Sequence, residues 1–259
     1  MLNFSGLSKA SFIGKSLRIL LDISIPKGLT LPILQGPAKG MRWIVGSFHH
    51  GCYLGSYELE KQKELVKYLL PGMVVYDIGA HVGFYTLLFS KLVGIKGYVY
   101  AFEPFPSNFT SLEKHFKLNK LDNVKIEQCA VSNDNSELIF FPSKFSAQGS
   151  IIKNNQYNQT NHFKVNSLTI DNYVYNLNNL APDFIKMDIE GAEYLACLGM
   201  QRILKEKKPI IFMALHGVEI GQKCYNFLRC LNYTLVNLEG KAIIGSEYCD
   251  EIIALPTNS

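Results

Sequence analysis

Short apolar runs alternate with amphipathic stretches through most of this chain, and that alternation narrows the folds open to it more than any other feature. MVVYDI, YVYAFE, VKIEQCAV, FIKMDI and PIIFMAL read as strands, and stretches with helical periodicity stand between most of them. Strands spaced by helices build a parallel sheet covered on both faces. The pattern predicts a helix over 57–70 stopped by Pro71-Gly72, a strand over 73–78 and a helix over 84–93. A strand over 98–103 and a helix over 107–118 capped by Ser107 follow, then a strand over 124–131. Residues 137–141 read as a strand outside the alternation, and 142–166, rich in amides at 153–162, as a long loop. Strand 184–189, helix 191–204, strand 209–215, helix 218–230 and strand 233–238 resume the pattern. A last strand near 252–255 makes an antiparallel hairpin with its predecessor at the sheet edge. With 259 residues and 47% hydrophobic content the chain can bury one large α/β core.

Residues 76–86, YDIGAHVGFYT, join the first of the regular strands to its helix through Gly79 and Gly83. A glycine turn in this place lets the backbone approach a ligand. The interval is not the Gly-x-Gly-x-x-Gly of dinucleotide sites, and no Gly-Lys-Ser/Thr follows as in a phosphate loop. Asp77 beside the turn repels a pyrophosphate and suits a cation, such as a sulfonium. Glu103 closes the second strand 20 residues after Gly83, where a carboxylate accepts both hydroxyls of a ribose. The two together point to an adenosine-containing, cationic ligand: S-adenosylmethionine.

YDIGAHVGFYT, then VYAFEP, AVS and IKMDIEGAE, in that order, resemble the FkbM family of S-adenosylmethionine-dependent methyltransferases. GPAKGMRW (36–43) and YLGSYELEKQ (53–62) resemble the amino-terminal part of one subgroup, so the likeness covers about residues 34–217. The resemblance implies a class I methyltransferase, Rossmann-like fold: a seven-stranded, mostly parallel sheet with its last strand antiparallel, and methyl transfer, typically to a hydroxyl of a sugar, glycolipid or secondary metabolite. It places Asp77, Gly79 and Gly83 at the methionine end of the cofactor and Glu103 at the ribose, with Thr86 and Pro104 also expected to bind the cofactor. His81 stands where the family commonly has Asn. Gln128, Cys129 and Ala130 border the adenine, and Tyr57 and Glu58 close over the cofactor. We expect an amino-terminal helical extension over 1–56 packed on a methyltransferase domain over 57–259.

Asp188 ends a buried strand and faces the cofactor in such a fold. Carboxylates near a helix start offset its dipole, which explains Glu193 and part of Glu190 without any function. Transfer to an aliphatic hydroxyl gains from a base, for which Asp188, Glu190 and His216 are the candidates. The family often carries Glu two residues before this His, and here that residue is Ala214. Asp188-x-Glu190 is not a recognised metal-binding spacing, so no metal is expected. The loop 142–166, with Asn and Gln able to match sugar hydroxyls, is the candidate acceptor side.

A net charge of +4 without a dense basic run argues against a nucleic-acid acceptor. A nucleic-acid or protein methyltransferase and a non-catalytic cofactor-binding module are the alternatives, and a dehydrogenase is the fold-level runner-up, against which the missing Gly-x-Gly-x-x-Gly discriminates. Six cysteines without a CxxC pair read as free thiols of a reducing compartment, so a cytoplasmic protein is expected. The apolar stretch 12–25 is broken by Lys15, Arg18 and Asp22, too charged for a transmembrane helix. It leaves weak peripheral membrane contact open for residues 1–25.

Overall fold

The computed structural model describes residues 24–143, 149–152, 162–245 and 247–257. The amphipathic stretch 12–25 and the amide-rich centre of the long loop lie almost wholly outside the described residues. In chain order the strands are β1 (Thr30–Pro32), β2 (Arg42–Ile44), β3 (Val74–Ile78), β4 (Tyr98–Phe102), β5 (Val124–Glu127), β6 (Ala130–Val131) and β7 (Glu137–Pro142). They continue with β8 (Gly149–Ser150), β9 (Phe163–Leu168), β10 (Phe184–Met187), β11 (Ile210–Ala214), β12 (Tyr233–Val236) and β13 (Glu251–Pro256).

Seven strands form the main sheet in the order β12-β13-β11-β10-β3-β4-β5, all parallel except β13. This is the class I methyltransferase arrangement. Side chains alternate between its faces as the pleat requires. Val75, Val99, Phe184, Phe212 and Ile253 enter one apolar cluster, and Tyr76, Tyr100, Ile185, Ile211 and Ala254 the other. Both faces are therefore buried, which is why these strands are apolar throughout. Strand order reverses between β3 and β10, and the carboxyl ends of those two strands open the crevice where ligands bind in such sheets.

The helices Phe84–Val93 and Val218–Cys230 have the bounds that periodicity predicts. Elsewhere local signals misled. The helix after β4 begins at Pro106, which suits a first helical position, so Ser107 is not its cap. The expected strand 124–131 breaks after Glu127, and Ala130–Val131 leaves the main sheet to run parallel with β9. Both flanks of the expected loop are strands: β7, β8 and β9 join β6 in a second, four-stranded sheet. The hairpin at the end of the chain does lie at the sheet edge and is antiparallel as expected, with β13 inserted between β11 and β12. A short helix, Ile170–Tyr175, was not anticipated, although Thr169 caps it by accepting from the Asn172 N–H.

The expected helix 191–204 is two helices, Glu193–Leu198 and Gln201–Glu206. Gly199 lies between them against the backbone of Ser132, where a Cβ would stand 1.9 Å from the carbonyl oxygen. Gly199→Ala is expected to lower the unfolding free energy by about 3 kcal/mol, read from the urea midpoint, because the clash is with backbone that cannot rotate away.

The amino-terminal segment is held by Trp43, fully buried against Phe84 and stacked at 4.0 Å on the ring of His115. His115 donates from Nδ1 to the Val82 carbonyl (2.8 Å) and accepts from the Ile44 N–H (3.1 Å), which fixes one neutral tautomer. Burial lowers its pKa to about 4. Residues from Ile33 to Tyr53 thus belong to the same core as the first sheet helix. Among the described residues no helix is long and apolar enough to cross a membrane.

Candidate active site

The chemistry gathers where β3, β4 and β10 end. Gly79 follows β3 with φ +78°, and a Cβ there would lie 2.0 Å from the Asp188 carbonyl oxygen. Only glycine lets the two strand ends meet this closely. Replacing the turn's glycine would push apart the walls of the cleft that opens between these strand ends.

Glu103, just beyond β4 and 5% exposed, accepts from the His81 N–H (2.7 Å), the Phe105 N–H (2.9 Å) and Asn108 Nδ2 (3.3 Å). Burial pushes its pKa up to about 7, against the lowering effect of these bonds and of Lys186. A carboxylate has about four acceptor positions, so the long Asn108 bond is the one a second incoming hydroxyl would displace. Cys129, Ala130, Pro104 and the aromatic ring of Phe140 continue this wall. Tyr57, His81 and Phe48 also line the cleft, the Phe48 ring standing edge-on to Tyr57 (5.6 Å) and His81 (4.5 Å). The cleft, lined by the buried Glu103 carboxylate and the glycine turn, offers acceptors and close backbone approach that fit S-adenosylmethionine.

Several residues expected at the cofactor stand behind the cleft wall instead. Asp77 is fully buried, accepts from Thr86 Oγ1 (2.7 Å) and pairs with Lys186 Nζ (3.2 Å). Lys186 also donates to the Gly79 carbonyl (2.8 Å). The Asp77 charge is thereby neutralised from β10 and supports the turn from beneath. Gly83 caps the Phe84 helix beside Leu112. Glu58 accepts from the Tyr85 hydroxyl (2.7 Å) and pairs with Lys61 (3.1 Å), which also binds Glu251. Glu251 is the β13 residue opposite Ala214, so a carboxylate is present beside the position where the family often has one of its own.

Asp188 and Glu190 line the cleft, and His216, beyond β11, reaches them from behind. Its Nε2 lies 3.7 Å from Asp188 Oδ1 and 3.5 Å from Glu190 Oε2, and its Nδ1 lies 2.9 Å from Glu193 Oε1. Burial lowers the His216 pKa, but the bond to Glu193 and the charges of Glu193, Asp188 and Glu190 outweigh that and hold it at about 9. Glu190 adopts φ +54°, a strained conformation for a side chain of its size and one found most at functional turns.

Sequence reasoning missed Lys186, Phe48 and Asn108 and undervalued Glu193. A lysine inside an otherwise apolar strand, FIKM, was the available signal for Lys186, because a buried ammonium needs a partner. Phe48 carried none.

A seven-stranded α/β sheet whose strand order reverses at a glycine turn is the class I methyltransferase fold. The family model of the methyltransferase FkbM domain matches residues 77–253, and the chain belongs to that family, whose methyl donor is S-adenosylmethionine. It is 23% identical over 137 residues to Methyltransferase 1 of Beauveria bassiana (strain ARSEF 2860), covering 46% of this chain and 55% of that one. It is 36% identical over 76 residues to the 31-O-demethyl-FK506 methyltransferase FkbM of Streptomyces tacrolimicus, covering 29% and 28% of the two chains. The matched stretches thus span 55% or less of these curated relatives. A crystal structure of methyltransferase FkbM from Methylobacillus flagellatus KT aligns with TM-score 0.49 at 20% identity, over 70% of this chain and 43% of that chain.

Proposed function

We propose that this protein transfers the methyl group of S-adenosylmethionine to a hydroxyl oxygen of a small acceptor, a sugar, glycolipid or secondary metabolite. The observation that carries the reading is the pair of carboxylates, Asp188 and Glu190, on the wall of the cleft where β10 ends beside the glycine turn. The name of the Streptomyces relative, a methyltransferase of an O-demethyl compound, supports the choice of oxygen.

The bound cofactor would supply an electrophilic methyl group at its sulfonium. Glu103 accepts the ribose hydroxyls, and Cys129, Ala130 and Phe140 border the adenine. Tyr57 and Phe48 shield the methionine end from water. Holding the acceptor oxygen in line with the methyl is the main task, and such alignment is worth about 7–11 kcal/mol. Asp188 and Glu190, which face the cleft, accept the hydroxyl proton as the new bond forms. His216 does not line the cleft and holds the two carboxylates in place from behind. The acceptor enters past the second sheet, whose Ser150 and Ile151 border the cleft.

Asp188→Asn is expected to lower kcat about 10²–10⁴-fold while leaving S-adenosylhomocysteine affinity within about tenfold of the parent. Labelled cofactor and mass spectrometry of products from hydroxylated glycans and macrolides, beside amine-bearing analogues, check this. Methyl groups found on nitrogen, or an Asp188→Asn variant with full kcat, overturn the reading.

A further inference from the structure

Four side chains at the ends of β10 and β11 form a cluster that the methyl-transfer scheme uses only in part. The liganding atoms of Asp188, Glu190 and His216 all lie within 4.8 Å of one another. We propose that these three residues bind one divalent cation of the Mg²⁺/Mn²⁺ class, with an open position facing the cleft.

The distances are the first reason. His216 Nε2 stands 3.7 Å from Asp188 Oδ1 and 3.5 Å from Glu190 Oε2, long for charge-assisted hydrogen bonds, which close to about 2.7–2.9 Å. Ligands at about 2.1 Å from a shared ion are separated by about 3.0–4.2 Å, so small rotations of two half-exposed carboxylates complete the site.

Glu193 is the second, independent reason. It is wholly buried, and its Oε1 accepts from the Gly191 N–H (3.0 Å) and from His216 Nδ1 (2.9 Å). Its Oε2 is buried with no hydrogen-bond partner. Keeping an incompletely satisfied carboxylate in the interior is costly. What it achieves is to fix the imidazole so that Nε2 faces Asp188 and Glu190, the way a carboxylate orients a metal-bound histidine, and an ion bound there would take the place of the Nε2 proton. Glu193 is thus a positioning residue. Charge points the same way: three carboxylates meet a single imidazole, and a divalent ion balances what the imidazole alone does not.

Two oxygens and one imidazole nitrogen suit Mn²⁺ or Mg²⁺ better than thiolate-seeking ions. Asp188 and Glu190 border the cleft, so an acceptor hydroxyl can take the open position. There its proton passes to the unbound oxygen of Asp188 or Glu190. The oxygen pair forms the bond to the methyl carbon, and the carbon–sulfur bond breaks with its electrons left on sulfur, giving the neutral thioether. The absence of a recognisable motif at Asp188-x-Glu190 is explained by the third ligand, which arrives from the neighbouring strand. The catalytic role of the ion rests on the O-methyltransferase reading; its binding does not.

The test is titration of chelator-treated full-length protein with Mn²⁺, free Mn²⁺ being followed by electron paramagnetic resonance, with Mg²⁺ as competitor. One Mn²⁺ per chain with submillimolar affinity is expected. Asp188→Asn and His216→Ala should each weaken it at least about 100-fold, and Glu193→Gln about 10–100-fold with its melting temperature kept. Calorimetry with S-adenosylhomocysteine on the same samples checks folding, and Asp188→Asn carries the test if His216→Ala does not fold. No saturable Mn²⁺ binding by the parent at millimolar ion, or equal binding by the folded variants, overturns the site. Metal binding without S-adenosylhomocysteine binding upholds the site and overturns the proposed function; the reverse pattern overturns the site alone.

Discussion

Glu103→Ala is expected to weaken S-adenosylhomocysteine binding by about 10²–10⁴-fold. Two hydroxyl-to-carboxylate hydrogen bonds are lost, each worth about 1.5–3 kcal/mol because the acceptor is charged and buried. The His81 and Phe105 N–H groups, which Glu103 now satisfies, lose their acceptor as well, so the turn above the ribose loosens. Calorimetric titration reads the effect directly. The same carboxylate makes binding depend on pH. Its folded pKa, about 7, is raised mainly by burial, and only the ionised form can accept from both hydroxyls. Affinity should therefore rise about tenfold between pH 6 and pH 8 and level off above, in the direction of proton loss on binding. A Kd that does not change across that window would mean the ribose is held by something other than Glu103.

Lys186→Met is expected to destabilise the fold by about 3–5 kcal/mol. It leaves the fully buried Asp77 facing only Thr86, and breaking one side of a buried ion pair strands the other charge. The Gly79 carbonyl loses its donor in the same change, which couples the loss of stability to the geometry of the cleft. A paired change, Lys186→Met with Asp77→Asn, removes the stranded charge and should recover most of that stability, as a double-mutant cycle in urea would show. If the single variant melts with the parent, the pair is not what supports the turn.

Much of this architecture was legible in the chain because its causes are local. Strands buried on both faces must be apolar, and helices between them must show a 3.6-residue period, so VVYDI and FYTLLFSKLV declare themselves. Where the structure departed from expectation, the cause was a contact with a distant segment. Gly199 breaks a helix because the Ser132 carbonyl lies against it, and β6 leaves its strand because β9 is there to pair with. The same holds within the site. Glu103 was readable from its distance to the glycine turn. Asp77 was readable as important, but its pairing with Lys186 spans more than a hundred residues and was not.

By itself, then, the order of apolar runs, glycines and strand-end carboxylates pointed to a parallel α/β sheet covered on both faces and to an adenosine-type cofactor, since both follow from periodicity and from charge at fixed intervals; the seven-stranded form came from the family resemblance. Only the tertiary structure decided which carboxylates face the cleft, which are neutralised beneath it, and that Asp188, Glu190, Glu193 and His216 form one cluster. Pairing across strands sets those distances, and a one-dimensional pattern carries no record of them.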